Sequence, residues 1–186
     1  MPDAKQLAEV ALLYKNVGDG IDIEAANESL ISTLQGFQLE ADDALSIIDK
    51  FNEVGNNFAI SSAGIGEALQ RSAAAFNAAN TDLSQSIALI TASNEIVQDP
   101  DAVGSMWATV SARIRSAKSE LEDLGEDTED MVESTSKIRD LVKGITGVDI
   151  MLDENTFKDI YTIITQIGEK WNDIKDIDQA NYCLCA

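Results

Sequence analysis

The chain has 186 residues, 45% of them hydrophobic and 25% charged, which is long and apolar enough to bury a core rather than stay disordered. It carries 33 acidic against 13 basic residues, a formal charge of -20, and a surface of that sign repels phosphate backbones and anionic membranes. It contains no histidine, which excludes histidine-dependent triads and zincin-type sites.

Aromatics make up only 5%, prolines number 2, and the apolar side is carried by Ala, Ile, Leu and Val. That is the palette of packed helices, and the predicted class is all-α: a multi-helix bundle of antiparallel helical hairpins. The opening Met1-Pro-Asp-Ala-Lys-Gln has no basic stretch followed by an apolar one, so no secretory signal is expected. No run of apolar residues is long enough to span a bilayer. Cys183 and Cys185 are too close in sequence to staple a core. The terminal Cys183-Leu-Cys-Ala186 matches a prenylation box only formally, because the residues upstream are acidic.

From Ile23 the apolar positions Ile23, Ala26, Leu30, Leu34 and Phe37 recur at helical spacing, and the helix is expected to stop near Gly36-Phe37. A second run, Ala41, Ala44, Leu45, Ile48 and Phe51, follows acidic Glu40 and is expected to close at Gly55. Ile65, Leu69, Ala73 and Phe76 make the next face, with Asn80 as its stop. Asp82-Leu-Ser-Gln85 has capping-box spacing. It is followed by Leu83, Ile87, Ile90 and Val97 on one side of a helix that also buries Leu89 or Ile96.

Asp99-Pro100 combines an N-cap with proline at the first helical position. The helix it opens is predicted to be long: Val103, Trp107, Val110, Ile114, Ala117, Leu121 and Leu124 alternate spacings of four and three up to Gly125, a heptad seam. Such a seam serves either an antiparallel hairpin within the chain or self-association. Arg113 and Arg115 on this helix are expected to pair with the chain's own acids. Glu120, Glu122, Asp123, Glu126, Asp127, Glu129, Asp130 and Glu133 then crowd together, and read as a solvated linker with a cation site as the alternative.

Beyond it, Ile138, Leu141 and Val142 predict a short helix, and the alternation of Val148, Ile150 and Leu152 an extended or hairpin piece at 148–152. Asn155-Thr156 is expected to cap a last helix bearing Phe157, Ile160, Ile164, Ile167, Trp171 and Ile174. The expected organisation is a helical core region at 1–124, an acidic linker at 125–134, a helical lobe at 135–180 and an unrelated tail at 181–186. The residues singled out for packing or partner contact are Val103, Trp107, Val110, Ile114, Leu121 and Leu124 with Phe157, Ile160, Ile164, Ile167 and Trp171.

Chemistry-bearing motifs are sparse. Gly18-Asp-Gly20 and Gly64-Ile-Gly66 are isolated pairs rather than phosphate loops, and pairs such as Asp42-Asp43 arise by chance in so acidic a chain. Ser134-Thr-Ser-Lys137 has a catalytic spacing without companions. No catalytic, cofactor-binding or metal-binding residue is assigned, and no enzymatic activity or cofactor is expected.

One longer pattern stands out. Gly64-Ile-Gly-Glu-Ala-Leu-Gln-Arg-Ser-Ala-Ala-Ala-Phe-Asn-Ala-Ala-Asn80, then Leu83-Ser-Gln-Ser-Ile-Ala-Leu-Ile-Thr-Ala-Ser-Asn-Glu-Ile-Val-Gln-Asp-Pro-Asp101, resembles the core region of phage tail tape measure proteins. Asp49-Lys-Phe-Asn-Glu-Val-Gly-Asn-Asn-Phe-Ala-Ile-Ser61, Glu122-Asp-Leu-Gly-Glu-Asp-Thr-Glu-Asp-Met131, Gly147-Val-Asp-Ile-Met, Phe157-Lys-Asp-Ile-Tyr161 and Trp171 are similar to that family as it occurs in siphophages and in prophages of Gram-positive bacteria. The likeness runs over roughly residues 5–180 and fits an internal slice of a longer chain, whose last six residues depart from the family pattern. The resemblance implies a structural role in tail assembly and tail length determination. Its implied partners are tube subunits and assembly chaperones, with self-association through helices. Its implied location is the virion tail, and the bacterial cytoplasm during assembly. No direct nucleic-acid or membrane contact is expected of this segment. The alternative is a stand-alone acidic helical interaction module, an adaptor or regulator.

Overall fold

The computed structural model describes residues 4–18, 20–128, 135–175 and 179. Among them the fold is all-α: nine α-helices, two short 3-10 turns and one isolated antiparallel bridge, Met151 with Phe157. The helices are α1 (Ala4–Val17), α2 (Ile23–Gly36), α3 (Ala44–Asn57), α4 (Ser62–Ala78), α5 (Leu83–Val97), α6 (Pro100–Ile114), α7 (Lys118–Asp123), α8 (Thr135–Thr146) and α9 (Ile160–Lys170). The chain forms two compact units. Unit 1 takes in Met1–Ala78 and Asp82–Ala108, and unit 2 takes in Ala79–Thr81 and Thr109–Ala186.

Unit 1 is organised around α4, which packs against α2, α3 and α5. Its buried face is Ser62, Gly64, Ile65, Gly66, Ala68, Leu69, Ser72, Ala73 and Phe76, so the helix presents mostly small residues along its length. Small residues let backbones approach. A Cβ on Gly36 would stand 2.5 Å from the Ala73 Cβ, and one on Gly104 would run into the Ala68 carbonyl oxygen of α4. Two hydroxyls within this packing are satisfied by bonding one turn back, Thr33 Oγ1 to Ser29 O at 2.8 Å and Ser72 Oγ to Ala68 O at 2.8 Å. α1, an element the periodicity reading did not single out, packs against α2 and α3. Its fully buried Tyr14 stacks at a tilt on Phe51 and donates its hydroxyl proton to Ser62 O at 2.6 Å.

The predicted caps hold where their chemistry was local. Asp82 Oδ1 accepts from Gln85 N at 2.8 Å while Gln85 Oε1 accepts from Asp82 N at 3.0 Å, a complete capping box, and Asp99 Oδ1 accepts from Ala102 N at 3.1 Å. α2 ends at Gly36 as expected. Gly55, by contrast, does not close its helix: α3 runs on to Asn57, and the missing Cβ serves a close approach, since it would stand 2.8 Å from Ser62 N. On α5, Leu83, Ile87, Leu89 and Ile90 are buried, whereas Ile96 and Val97 face solvent.

The long heptad helix is the main correction. α6 ends at Ile114, and Ser116 adopts a left-handed φ of 56°. Ser116 N donates to Arg113 O at 3.0 Å and Ala117 N to Ala112 O at 2.9 Å, the paired bonds of a Schellman turn built on a serine. A separate short helix, α7, then runs to Asp123 and ends in the same kind of turn on Gly125, where Glu126 N donates to Leu121 O at 2.9 Å.

Unit 2 has an apolar core of Val142, Val148, Ile150, Met151, Ile163 and Ile167, with Ile114, Ile138, Phe157 and Trp171 packed against it. The piece at 148–152 is extended enough for one bridge. Leu152 N donates to Thr156 O at 2.8 Å and Lys158 N to Ile150 O at 2.9 Å, while Leu152 itself is 70% exposed. Asn155-Thr156 is not the cap of α9. Asp159 is, through Oδ1 accepting from Thr162 N at 2.7 Å, so Phe157 precedes the helix. The acidic stretch at 125–134 falls in unit 2. Its residues 129–134, and the tail at 181–186 with Cys183 and Cys185, lie outside the described residues.

Candidate functional site

The residues singled out from sequence form two clusters, one in each unit. In unit 1, Val103 is fully buried and Trp107 nearly so. The indole sits 5.8 Å, centroid to centroid, from the Phe76 ring, and its Nε1–H donates to Ser93 Oγ at 3.1 Å. α6 presents both side chains because Asp99 and Pro100 start it in that register, and Gly104 between them lets its backbone settle onto Ala68.

In unit 2, Val110 and Ile114 are half-buried, Leu121 is buried and Leu124 is 44% exposed, so the seam does not continue past the Ser116 turn as one stripe. On the C-terminal side Ile160 and Ile167 are buried, and Phe157, Ile164 and Trp171 half-buried. Ile114, Phe157, Ile167 and Trp171 meet in the same aliphatic core. Ile163, fully buried and central to that core, was missed. The expected stripe counted Phe157 into the helix. With Asp159 as cap, the inward face is instead Ile160, Ile163 and Ile167.

Polar fasteners also escaped the sequence reading. Asp149 receives a two-pronged bond from Arg139, Nε to Oδ1 and Nη2 to Oδ2, both at 2.7 Å, and a third from Lys143 Nζ at 3.1 Å. It also accepts from Met151 N at 3.1 Å, which ties the 147–152 loop to α8. The Arg139 guanidinium above all, with the Met151 N–H and Lys143, holds the Asp149 carboxyl far below the usual carboxylate range. Nearby, backbone N–H donation from Asn155 lowers Asp153. Thr81, buried, accepts at Oγ1 from Ile160 N at 2.9 Å and donates to Ala79 O at 3.2 Å, giving a first-turn N–H of α9 its partner. Asn80 Nδ2 donates to Phe157 O at 3.1 Å.

Basic residues near the Ser116 turn pair with the chain's own acids as expected, Arg113 with Glu126 at 2.8 Å and Arg115 with both oxygens of Glu120 at 3.0 and 3.2 Å. Asp42 and Asp43 accept from Gln6 Nε2 and Glu40 N, which is capping and packing work. Among the described residues no group of three or more Asp, Glu or Cys side chains is placed to hold a metal ion, and no helix is long and apolar enough to cross a membrane. Ser134 lies outside the described residues.

The clusters these residues form are packing and fastening devices within an all-α protein. A family model described as phage-related minor tail protein matches residues 2–183, and the chain belongs to that family of phage tail proteins. No solved structure matches the chain.

Proposed function

We propose that this chain is a segment of a tail tape measure protein, acting in tail assembly and in setting tail length. The observation that carries the reading is the family match over residues 2–183, which makes the chain a tail protein. The consecutive tape-measure-like segments between Gly64 and Asp101 narrow it further. An all-helical chain suits the role physically, since helices satisfy their own backbone groups and length can be added or removed turn by turn without a sheet to disrupt. The segment works without catalysis or cofactor. Its partners are tube subunits and assembly chaperones, met in the host cytoplasm during assembly and in the virion tail.

The test is made in the phage or prophage that encodes the chain. An in-frame deletion within residues 23–124 should shorten the tails seen by electron microscopy, and an in-frame duplication should lengthen them, by up to about 1.5 Å per residue if the segment is drawn out as helix. Tails of unchanged length in both variants would return the chain to the other reading, an acidic adaptor.

A further inference from the structure

Unit 1 carries a shallow recess that the packing described above does not use. Phe58, Ile60 and Ser61 of the α3–α4 connection form one wall, and Asn94, Gln98 and Pro100, where α5 gives way to α6, form the other. Phe58 is 55% exposed. Val97, three residues along α5 from Asn94 and so on the same helix face, is 45% exposed. Single exposed apolar side chains are ordinary, but Phe58 in the recess wall, with Val97 on the helix face that carries Asn94, makes a contact surface in waiting. The wall also contains an unanswered acceptor. Asn94 is buried, its Nδ2 donates to Ala59 O at 3.1 Å, and its Oδ1, buried as well, has no hydrogen-bond partner among the described residues.

Charge selects the occupant. The segments that build the recess carry the exposed carboxylates Glu95 and Asp99, and no lysine or arginine occurs at 51–70 or at 72–112. Arg71, between those stretches, is engaged with Asp101 at 2.7 Å. A second copy of the chain, also at -20, is repelled from such a surface. We propose that the recess docks a segment of a partner protein in which a bulky apolar side chain stands next to lysine or arginine. The apolar group covers Phe58 and Val97, and the neighbouring cation faces Glu95 and Asp99. This surface is independent of whether the chain sets tail length.

The test uses the full chain and three fluorescein-labelled synthetic peptides read by anisotropy at near-physiological salt: one alternating leucine and lysine, one with serine replacing leucine, one with glutamate replacing lysine. The leucine–lysine peptide should bind, and the other two should bind much more weakly. Phe58→Ser and Val97→Ser should each weaken binding roughly tenfold with an unchanged helical spectrum, because both side chains already face solvent. Leu152→Ser, at a 70% exposed position in unit 2, should change nothing. The proposal fails if the leucine–lysine peptide does not bind. It fails equally if either control peptide binds as tightly, or if both recess variants leave affinity intact. A concentration-dependent dimer abolished by Phe58→Ser would show a second copy in the recess, and would overturn it too.

Discussion

The two units solve the same problem, burying a helix face, with different materials. Unit 1 relies on absence: Gly36, Gly66 and Gly104 leave no room for a Cβ where α4 meets its neighbours, and Ala68 and Ala73 complete the fit. Unit 2 has a core mostly of valine and isoleucine, and holds its loops with directional polar bonds, Asp149 to α8 and Thr81 to the start of α9. Close backbone packing fails when atoms are added, whereas a fastened loop fails when a donor or acceptor is removed. The chain supplies one reporter for each, Trp107 in unit 1 and Trp171 in unit 2. Replacing either by phenylalanine leaves the other as the sole tryptophan signal.

The largest effect is expected where unit 1 does depend on bulk. Trp107→Ala removes a nearly buried ring stacked against Phe76 and should cost about 3–5 kcal/mol in urea unfolding followed by circular dichroism. A loss within about 0.5 kcal/mol would mean that the indole is not in a core. Gly104→Ala tests the opposite failure. Alanine raises helix propensity by about 1 kcal/mol in α6, yet its methyl would strike the Ala68 carbonyl, a backbone atom that cannot step aside. A net loss of about 1–3 kcal/mol is expected, and a stabilised variant would show that α4 and α6 are not in close backbone contact.

These two sites also mark what the sequence made legible. Trp107 and Val103 followed from Asp99-Pro100, because cap and proline fix where the helix starts and hence which way its residues face. Asp82 and Gln85 were legible for the same reason, as their bonds span three residues. Glycine was ambiguous: Gly125 does end a helix with φ 80°, but Gly55 serves packing, and sequence alone does not separate the two uses. The turns at Gln38, Gln98 and Ser116 were invisible, because ordinary residues take the left-handed conformation there and the favourable bonds lie in the backbone. Asp149 and Thr81 were missed for a third reason. Their partners are 10 and 79 residues away, which no local pattern reports. The functional reading came from a long resemblance rather than a motif, and no residue-level chemistry accompanied it.

In unit 2, Thr81→Val should cost about 1–3 kcal/mol, since the isosteric side chain leaves the buried Ile160 N–H without its acceptor. Thr81→Ser should recover most of that loss. Equal stability of the valine and serine variants would show that the hydroxyl does not fasten α9. The Asp149 fastening is tested by pH. Its carboxyl is held far below the ordinary unfolded value of about 3.9, so its contribution is fully present above that pH and is lost as pH falls below it. Urea midpoints read from Trp171 should therefore decline between roughly pH 4 and pH 2, and decline less steeply in Asp149→Asn. Parallel acid limbs in the two proteins would remove the Arg139 pair from the account of this loop.

The smallest effect expected is the one that decides where the seam ends. In an unbroken heptad helix from Pro100 to Leu124, Leu124 would continue the stripe of Trp107, Ile114 and Leu121, and its truncation would cost as much as other buried leucines, about 2–5 kcal/mol. The Schellman turn at Ser116 resets the register. Leu121 remains buried, but Leu124 becomes the residue after α7, donating its N–H to Glu120 O at 3.1 Å with its side chain 44% exposed. Leu124→Ala should then fall within about 0.5 kcal/mol of the parent, while Leu121→Ala costs several times more. Ser116→Gly sharpens the distinction. Glycine accepts a positive φ more readily than serine, so the substitution should be neutral or slightly stabilising if the turn is present. In a continuous helix it should cost about 0.5 kcal/mol instead. A costly Leu124→Ala together with a costly Ser116→Gly would restore the single long helix, and with it one continuous seam.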